Sequence, residues 1–292
     1  MFDPTAQQIA PLSGELSGFC TVRFTGPDAA DFLQGYATCD TAKLEPTSAQ
    51  AAAFCDLRGR VVANGWLWGT PETVGFLLHA SCAEGLAGFL KPYLNFSRTT
   101  LSIDDSPPTA AFGAAVSELV DPVTLPSTAA AEARALSGVA SASTATDITP
   151  QWLSQALMNH EIYVEADISG AFLPQMLGLV DLGAVDFAKG CYLGQEVIAR
   201  AEHRGKVKRQ LLCARFEGSN APSVGMRLVD SEGVEQGVIA GAVLQDQAAQ
   251  EANHFVGLLA YVGKTVSTPT TGAQSFTLSP ATETSAITLE FY

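Results

Sequence analysis

Most of the chain's reactive side-chain types meet in one short stretch. Lys189-Gly190-Cys191-Tyr192-Leu193-Gly194-Gln195-Glu196, followed by Val197-Ile198-Ala199-Arg200, combines a cation, thiol, phenol, amide, carboxylate and guanidinium with two glycines. The glycines let backbone approach a ligand closely or take positive φ, so the stretch can form a turn that presents several polar groups together. A tight loop leading into a short helix, its polar groups meeting solvent, is the plainer alternative. Cys191 lies close to Lys189 and to a helix amino end near Gly194, and both favour a thiolate. As a nucleophile it needs a base, and the nearest histidine in sequence is His203. Cys191 is therefore the candidate catalytic thiol, with a ligand-contacting or structural thiol as the other reading. Glu196 can accept two hydrogen bonds from an amidine-like edge, or pair with Arg200 at i,i+4 on a helix. Lys189, Tyr192 and Gln195 can orient a ligand, and the turn Asp56-Leu57-Arg58-Gly59 can aim Asp56 and Arg58 into a cleft or be ordinary turn chemistry.

Composition limits the company these residues can keep. The 292 residues are 47% hydrophobic and 16% charged, as in a folded protein long enough for two or three domains. A net charge of -14 argues against broad nucleic-acid binding, because phosphate contacts come from Lys and Arg. Yet seven of the sixteen basic residues fall between Lys189 and Arg215 (Lys189, Arg200, Arg204, Lys206, Lys208, Arg209 and Arg215), with only Glu196 and Glu202 as acids there. Such a patch suits an anionic small molecule or a short nucleic-acid segment, or is simply a solvated loop and strand. The six cysteines include no C-x-x-C pair, so no metal site is expected. The start Met1-Phe2-Asp3-Pro4 has no signal-peptide character, and no apolar run reaches membrane-spanning length. A cytoplasmic protein with reduced thiols is the expectation.

The elements that must position the stretch can be read from hydrophobic period. Gly18–Phe24 alternates as a strand, and Gly26-Pro27-Asp28 turns into a helix to about Gly35. Ala51–Cys55 and Arg60–Trp68 form a hairpin, Thr73–His79 a strand, Cys82 to about Tyr93 a helix, and Thr99–Ile103 a closing strand. This β-α-β-β-β-α-β order predicts a mixed α+β sheet with helices on one face. Asp104–Thr109 reads as a linker and Ala129–Thr146 as a stretch of low order. Pro150 opens a helix. From Gln210 onward, short β-rich runs (Gln210–Phe216, Met226–Val229, Glu235–Ala240, Phe255–Val262, Ile287–Phe291) predict a small antiparallel barrel or sandwich.

The motif itself resembles the K-G-C-Y-x-G-Q-E signature of the YgfZ family, folate-binding proteins related to the aminomethyltransferase (T-protein) of the glycine cleavage system. The likeness extends along the chain. Phe32-Leu33-Gln34-Gly35 with Thr38-Cys39-Asp40, Phe54-Cys55-Asp56-Leu57-Arg58-Gly59-Arg60, Phe96-Ser97-Arg98, Phe172-Leu173-Pro174-Gln175 and Ala199-Arg200 through Arg204-Gly205 to Lys208-Arg209 are all similar to family segments. Many relatives have a Gly-Ile-Pro stretch, often preceded by an acid, where this chain has Met158-Asn159-His160-Glu161-Ile162. A contact made by that acid would pass here to Glu161 or Glu165.

The resemblance implies an α+β, T-protein-like multi-domain fold ending in a small antiparallel β-barrel. Residues 1–206 are expected to form a folate-binding region of two intertwined subdomains divided near 46 and 110, and residues 207–292 the barrel. It further implies tetrahydrofolate or a derivative as cofactor, held by Lys189, Tyr192, Gln195, Glu196, Arg200, Asp56 and Arg58. The implied role is assembly or repair of iron–sulfur enzymes, with such proteins or assembly factors as partners and a link to tRNA modification. A folate-dependent aminomethyl or one-carbon transferase is the alternative, needing an acid such as Asp40 or Asp56. A thiol-based redox or cluster-handling factor acting through Cys191 is the second.

Overall fold

The computed structural model describes residues 11–126, 133–137, 146–205, 207–217, 220–244, 254–261, 274–279 and 285–291. It begins with β1 (Leu12–Glu15) and β2 (Phe19–Thr25), then α1 (Ala29–Gln34), β3 (Gln50–Cys55), β4 (Val61–Thr70), β5 (Thr73–His79), α2 (Ala83–Leu94) and β6 (Thr100–Asp104). Each element expected over this stretch is present within a residue or two. Strands β2 to β6 form one five-stranded sheet in the order β3-β4-β5-β2-β6, every neighbour antiparallel.

Both faces of that sheet are covered, which the alternation of β2 alone does not reveal. On one face Phe54 stacks on Phe24 and meets Phe76 edge-on. On the other, Phe19 packs edge-on against Tyr163, and Asn64 brackets the segment after the third helix by donating to Ile162 O and accepting from Val164 N. Trp66 and Trp68 stand two residues apart on β4 and share this second face.

A second sheet follows, of four strands in the order β1-β7-β9-β8, from β7 (Thr109–Phe112), β8 (Pro122–Leu125) and β9 (Arg134–Ser137). The expected linker is the connection between the two sheets, since β6 ends at Asp104 and β7 begins at Thr109. The expectation of low order over Ala129–Thr146 fails at Arg134–Ser137, which is a fully buried strand paired on both sides. Its Ala and Ser side chains carry little hydrophobic signal, and only pairing with β7 and β8 gives it a place. Residues 129–132 and 138–145 of that stretch lie outside the described residues.

Helix α3 (Thr149–Met158) starts with Pro150 in its first turn, as expected. The motif helix α4 (Gln195–Arg204) precedes a closed barrel, β10-β13-β12-β11-β14-β15. Its strands are β10 (Arg209–Glu217), β11 (Arg227–Val229), β12 (Glu235–Val243), β13 (His254–Tyr261), β14 (Gln274–Ser279) and β15 (Ser285–Phe291). Strand β14 is not foreseen, because Ser and Thr alternate with its buried Phe276 and Leu278. The barrel docks on α3 and on the segment after it, where Gly241 faces Ile162 and a Cβ would lie 2.7 Å from the Ile162 Cδ1. Lys206 of the basic run is outside the described residues.

Past α3 the chain reverses at His160, which has φ 54, a left-handed conformation uncommon outside glycine and taken most often by Asn, Asp and His. Burial lowers the pKa of His160 and of His79 from the ordinary 6.5. The unfolded chain therefore binds protons near that pH that the folded chain does not, so stability falls on acidification. Denaturant titrations between pH 7 and 5.5 should show this loss. His160→Asn, which suits the same backbone, should remove part of it and leave the share due to His79.

Candidate functional site

Three sequence-distant segments meet at the motif. Helix α1 ends at Gln34, and the backbone that follows turns three carbonyls toward one point. The Lys189 ammonium sits there and donates to Gln34 O at 2.9 Å, Ala37 O at 2.7 Å and Cys39 O at 2.6 Å. All three of its protons are thereby engaged. Burial lowers its pKa, opposed by the charges of Asp40 and Asp186 among others. The ring of Tyr192 lies under the ammonium, 5.1 Å from it. Tyr192 is buried, its hydroxyl without a hydrogen-bond partner, and burial raises its pKa far above the usual phenol value. Leu193 N–H then donates to Gly35 O, and Asp186 N–H to Thr38 O, fastening the loop along the same segment.

The second junction is with the Asp56–Gly59 turn. Gly194, which opens α4, has φ 82, and a Cβ there would come within 2.5 Å of Asp56 O. Only glycine permits both the conformation and that approach. Gly194→Ala should therefore destabilise the fold by about 2 kcal/mol, from left-handed strain plus displacement of the turn. A lowered thermal midpoint together with faster amide exchange at Gly59 would register it. Asp56 Oδ1 accepts from the amides of Arg58 and Arg60, both at 2.8 Å, so this oxygen shapes its own turn. The Arg58 side chain is exposed and its neighbour Leu57 is 72% exposed.

Of the remaining motif residues, Cys191, Glu196 and Arg200 are exposed, Gln195 is half-buried and Ile198 is buried. Glu196 and Arg200 pair at 3.2 Å along α4, with side chains 87% and 73% exposed, a contact of a few tenths of a kcal/mol at most. Cys191 is exposed, whereas the other five cysteines are buried and all six are free thiols. Burial pushes Cys20 and Cys82 up to about 11 and Cys39 and Cys213 up to about 12, holding them as neutral thiols. Gln175 of the Pro-Gln segment supports α4 from behind by donating to Ile198 O at 2.9 Å. The structure thus packs the motif against residues 34–39 and the Asp56–Gly59 turn, with Lys189 and Tyr192 buried as framework and Arg58, Cys191, Glu196 and Arg200 exposed.

Asp40, a candidate acid, accepts from Gln34 Nε2 at 2.9 Å and pairs with Lys43 at 3.2 Å. The Gln34 hydrogen bond, the largest influence, holds its carboxyl below the usual range.

Sequence reasoning names Glu161 but misses its partners in a second cluster, in the interior. Arg134 on β9 and Glu161 after α3 form an ion pair at 2.6 Å, with side chains only 3% and 2% exposed. Burial pulls the Arg134 pKa down, but the Glu161 charge outweighs it and the guanidinium is held up. The guanidinium centre lies 5.0 Å from the Trp152 ring and 5.9 Å from the Trp66 ring. Trp66 Nε1 donates to Glu161 Oε1 at 3.1 Å and to the Tyr163 hydroxyl oxygen at 2.9 Å, and Trp152 Nε1 reaches the same oxygen at 3.1 Å. Burial, then the Glu161 charge, raises Tyr163 well above the ordinary value. Two signals were available, Glu161 as a stand-in for the relatives' acid and Arg134 as the sole cation in a stretch of small residues.

Among the described residues, no group of three or more His, Cys, Asp or Glu is placed to hold a metal ion, and no helix is long and apolar enough to cross a membrane. Comparison with known proteins places these features in context. No family model matches the chain. A curated relative from Escherichia fergusonii, "tRNA-modifying protein YgfZ", is 30% identical over 76% of this chain and 77% of its own length. One of the same name from Pectobacterium carotovorum is 29% identical over 75% and 74%. Among solved structures, the glycine cleavage system aminomethyltransferase T of Bartonella henselae superposes with a TM-score of 0.64 at 12% identity, covering 96% of this chain and 85% of that one.

Proposed function

This chain belongs to the YgfZ family, and from that premise we propose that it is a cytoplasmic, folate-linked accessory protein for iron–sulfur enzymes, those that modify tRNA among them, and not a one-carbon transferase. The observation that carries this reading is the convergence of residues 34–40, 56–60 and 189–200 on one braced, outward-facing surface. That surface presents Arg58, Cys191, Glu196 and Arg200 with the exposed apolar Leu57 and Val197. Apolar groups among charges on a rigid platform suit a protein partner. The transferase reading needs a free acid, and Asp40 and Asp56 are both engaged locally. A redox variant of the reading rests on Cys191 being the exposed thiol of the six.

The fit to folate is divided. Arg58 and Arg200 are exposed guanidinium groups able to pair with the carboxylates of a folate tail. The pterin head needs aromatic walls and a carboxylate for its guanidine-like edge, a combination present at Trp66, Trp152 and Glu161. A cavity of about 20 Å³ lies beside Glu161, Tyr163 and Glu165, room for about one water. In this arrangement that cluster does not admit a pterin.

The test is complementation of a deletion strain, scored by the activity of several iron–sulfur enzymes and by tRNA modification. Cys191→Ala, Arg58→Ala and Glu196→Ala should each weaken rescue while leaving the fold intact. Full rescue by all three would overturn the surface as the working face. Calorimetry with tetrahydrofolate tests the folate part, and no heat of binding at millimolar ligand would remove it.

A further inference from the structure

An open crevice lies far from the motif, between the first sheet and the edge strand β8 of the second. Its volume of about 710 Å³ is that of a pocket for a small organic ligand. It sits at Trp68, seven residues along β4 from Val61 and the turn that precedes it, so roughly 23 Å separates it from the braced surface. The floor follows from strand register. Trp68 pairs with Gly75 of β5, and Gly75 with Arg23 of β2, so the three stand in one row across the second face of the first sheet. Gly75 leaves the middle of that row bare and the Trp68 indole lies over it, since a Cβ at Gly75 would come within 2.6 Å of Trp68 Cζ2. The opposite wall is Pro46-Thr47 with Asp121-Pro122 and Thr124. Backbone bonds fix it to both sheets: Gly69 N–H donates to Glu45 O, Thr124 N–H to Thr47 O and Ala49 N–H to Thr124 O. The crevice is therefore preformed.

Hydrogen-bonding groups around it are unused. Arg23 meets Asp104 only as a loose ion pair at 3.7 Å and makes no hydrogen bond among the described residues. The Trp68 N–H has no acceptor among the described residues, yet it is not enclosed. Asp121, exposed at the rim, has no ion pair or hydrogen bond among the described residues. Donors on the floor and a carboxylate at the rim set the polarity of a ligand. Charge narrows the choice, because Asp104 already balances Arg23 and Asp121 adds a second negative charge. An anion gains nothing by entering, and an uncharged ligand keeps the balance. A sheet face on one side and two prolines on the other favour a flat ring.

We propose that this crevice binds the base of a nucleoside, with Arg23 and the Trp68 N–H donating to its ring acceptors and Asp121 accepting from its exocyclic amine. Guanine and cytosine each carry a carbonyl acceptor and an amine on one flat, uncharged ring. Uracil lacks the amine and leaves Asp121 with less to accept. The site is separate from the motif surface and does not rest on the folate reading.

Equilibrium dialysis of the full chain against labelled guanosine and cytidine, carried to millimolar concentration, tests this. Both should bind saturably, and uridine more weakly. Arg23→Gln, Trp68→Phe and Asp121→Gly should each weaken guanosine binding by about fivefold or more, the scale of one lost hydrogen bond. Asp121→Gly removes the carboxylate at an exposed position whose φ of 46 suits glycine, so it keeps the fold and carries the test even where Trp68→Phe is unstable. Inorganic phosphate and tetrahydrofolate should not displace the nucleoside. A short single-stranded oligoribonucleotide separates two sources of the same base. Displacement with the same dependence on the three variants assigns the crevice to an unpaired base of RNA, and no displacement assigns it to the free nucleoside. Absence of saturable guanosine and cytidine binding, or binding unchanged in Asp121→Gly and Arg23→Gln, would overturn the proposal. So would displacement by phosphate, which would make Arg23 an anion site, or by tetrahydrofolate, which would make the crevice a folate site.

Discussion

Glu161→Ala should destabilise the protein by about 3–5 kcal/mol, because it leaves the Arg134 guanidinium buried with no counter-charge. Both members are almost completely enclosed, so solvent cannot screen the loss. The same change removes the acceptor of one Trp66 N–H bond, although Tyr163 still takes that proton. Much of the effect is the penalty of an orphaned charge and not the value of the pair. It follows that replacing both partners, Arg134→Leu with Glu161→Leu, should recover most of the stability and could exceed the parent. Denaturant unfolding of the two single variants and the double variant measures this directly, with unchanged slopes as the sign that stability alone has moved. A double variant as unstable as Glu161→Ala would show that packing, not charge, governs the cluster.

Lys189→Met should cost about 3 kcal/mol, far more than Glu196→Ala seven residues away in the same motif. Three short charge-assisted bonds end on carbonyls of residues 34, 37 and 39, and all three acceptors lose their donor together. Lys189→Arg should not restore stability. A planar fork of donors cannot meet three carbonyls converging on one point, whereas a compact ammonium can. The loss should appear both as a lower denaturant midpoint and as faster amide exchange at Leu193, whose N–H bonds to Gly35 O across the same junction. Glu196→Ala, on the exposed side of α4, should shift neither by more than a few tenths of a kcal/mol.

These two predictions also mark where the sequence was legible and where it was not. Strand β5 and helix α3 follow from local period and from Pro150, because their stabilising contacts repeat every two or every 3.6 residues along the chain itself. Strand β9 has no such signature, being four small or unexpected residues whose stability comes from neighbours. Within the motif, the list of polar types was plain, but their division into framework and surface was not. Lys189 reads in sequence as a cation ready for a ligand, and its protons are taken by carbonyls as far as 155 positions away.

The sequence by itself determined the family, through an eight-residue motif with collinear flanks, and with it the α+β class and the terminal barrel. It also determined most elements of the first sheet, since hydrophobic period and turn residues act locally. Tertiary structure alone decided the roles of single side chains. It turned Lys189 into a clamp, left Cys191 on the surface, and set Arg134 against Glu161 between two indoles. Those outcomes depend on burial and on the few ångströms between a donor and its acceptor. Folding sets those distances between residues far apart in the chain, and no local pattern encodes them.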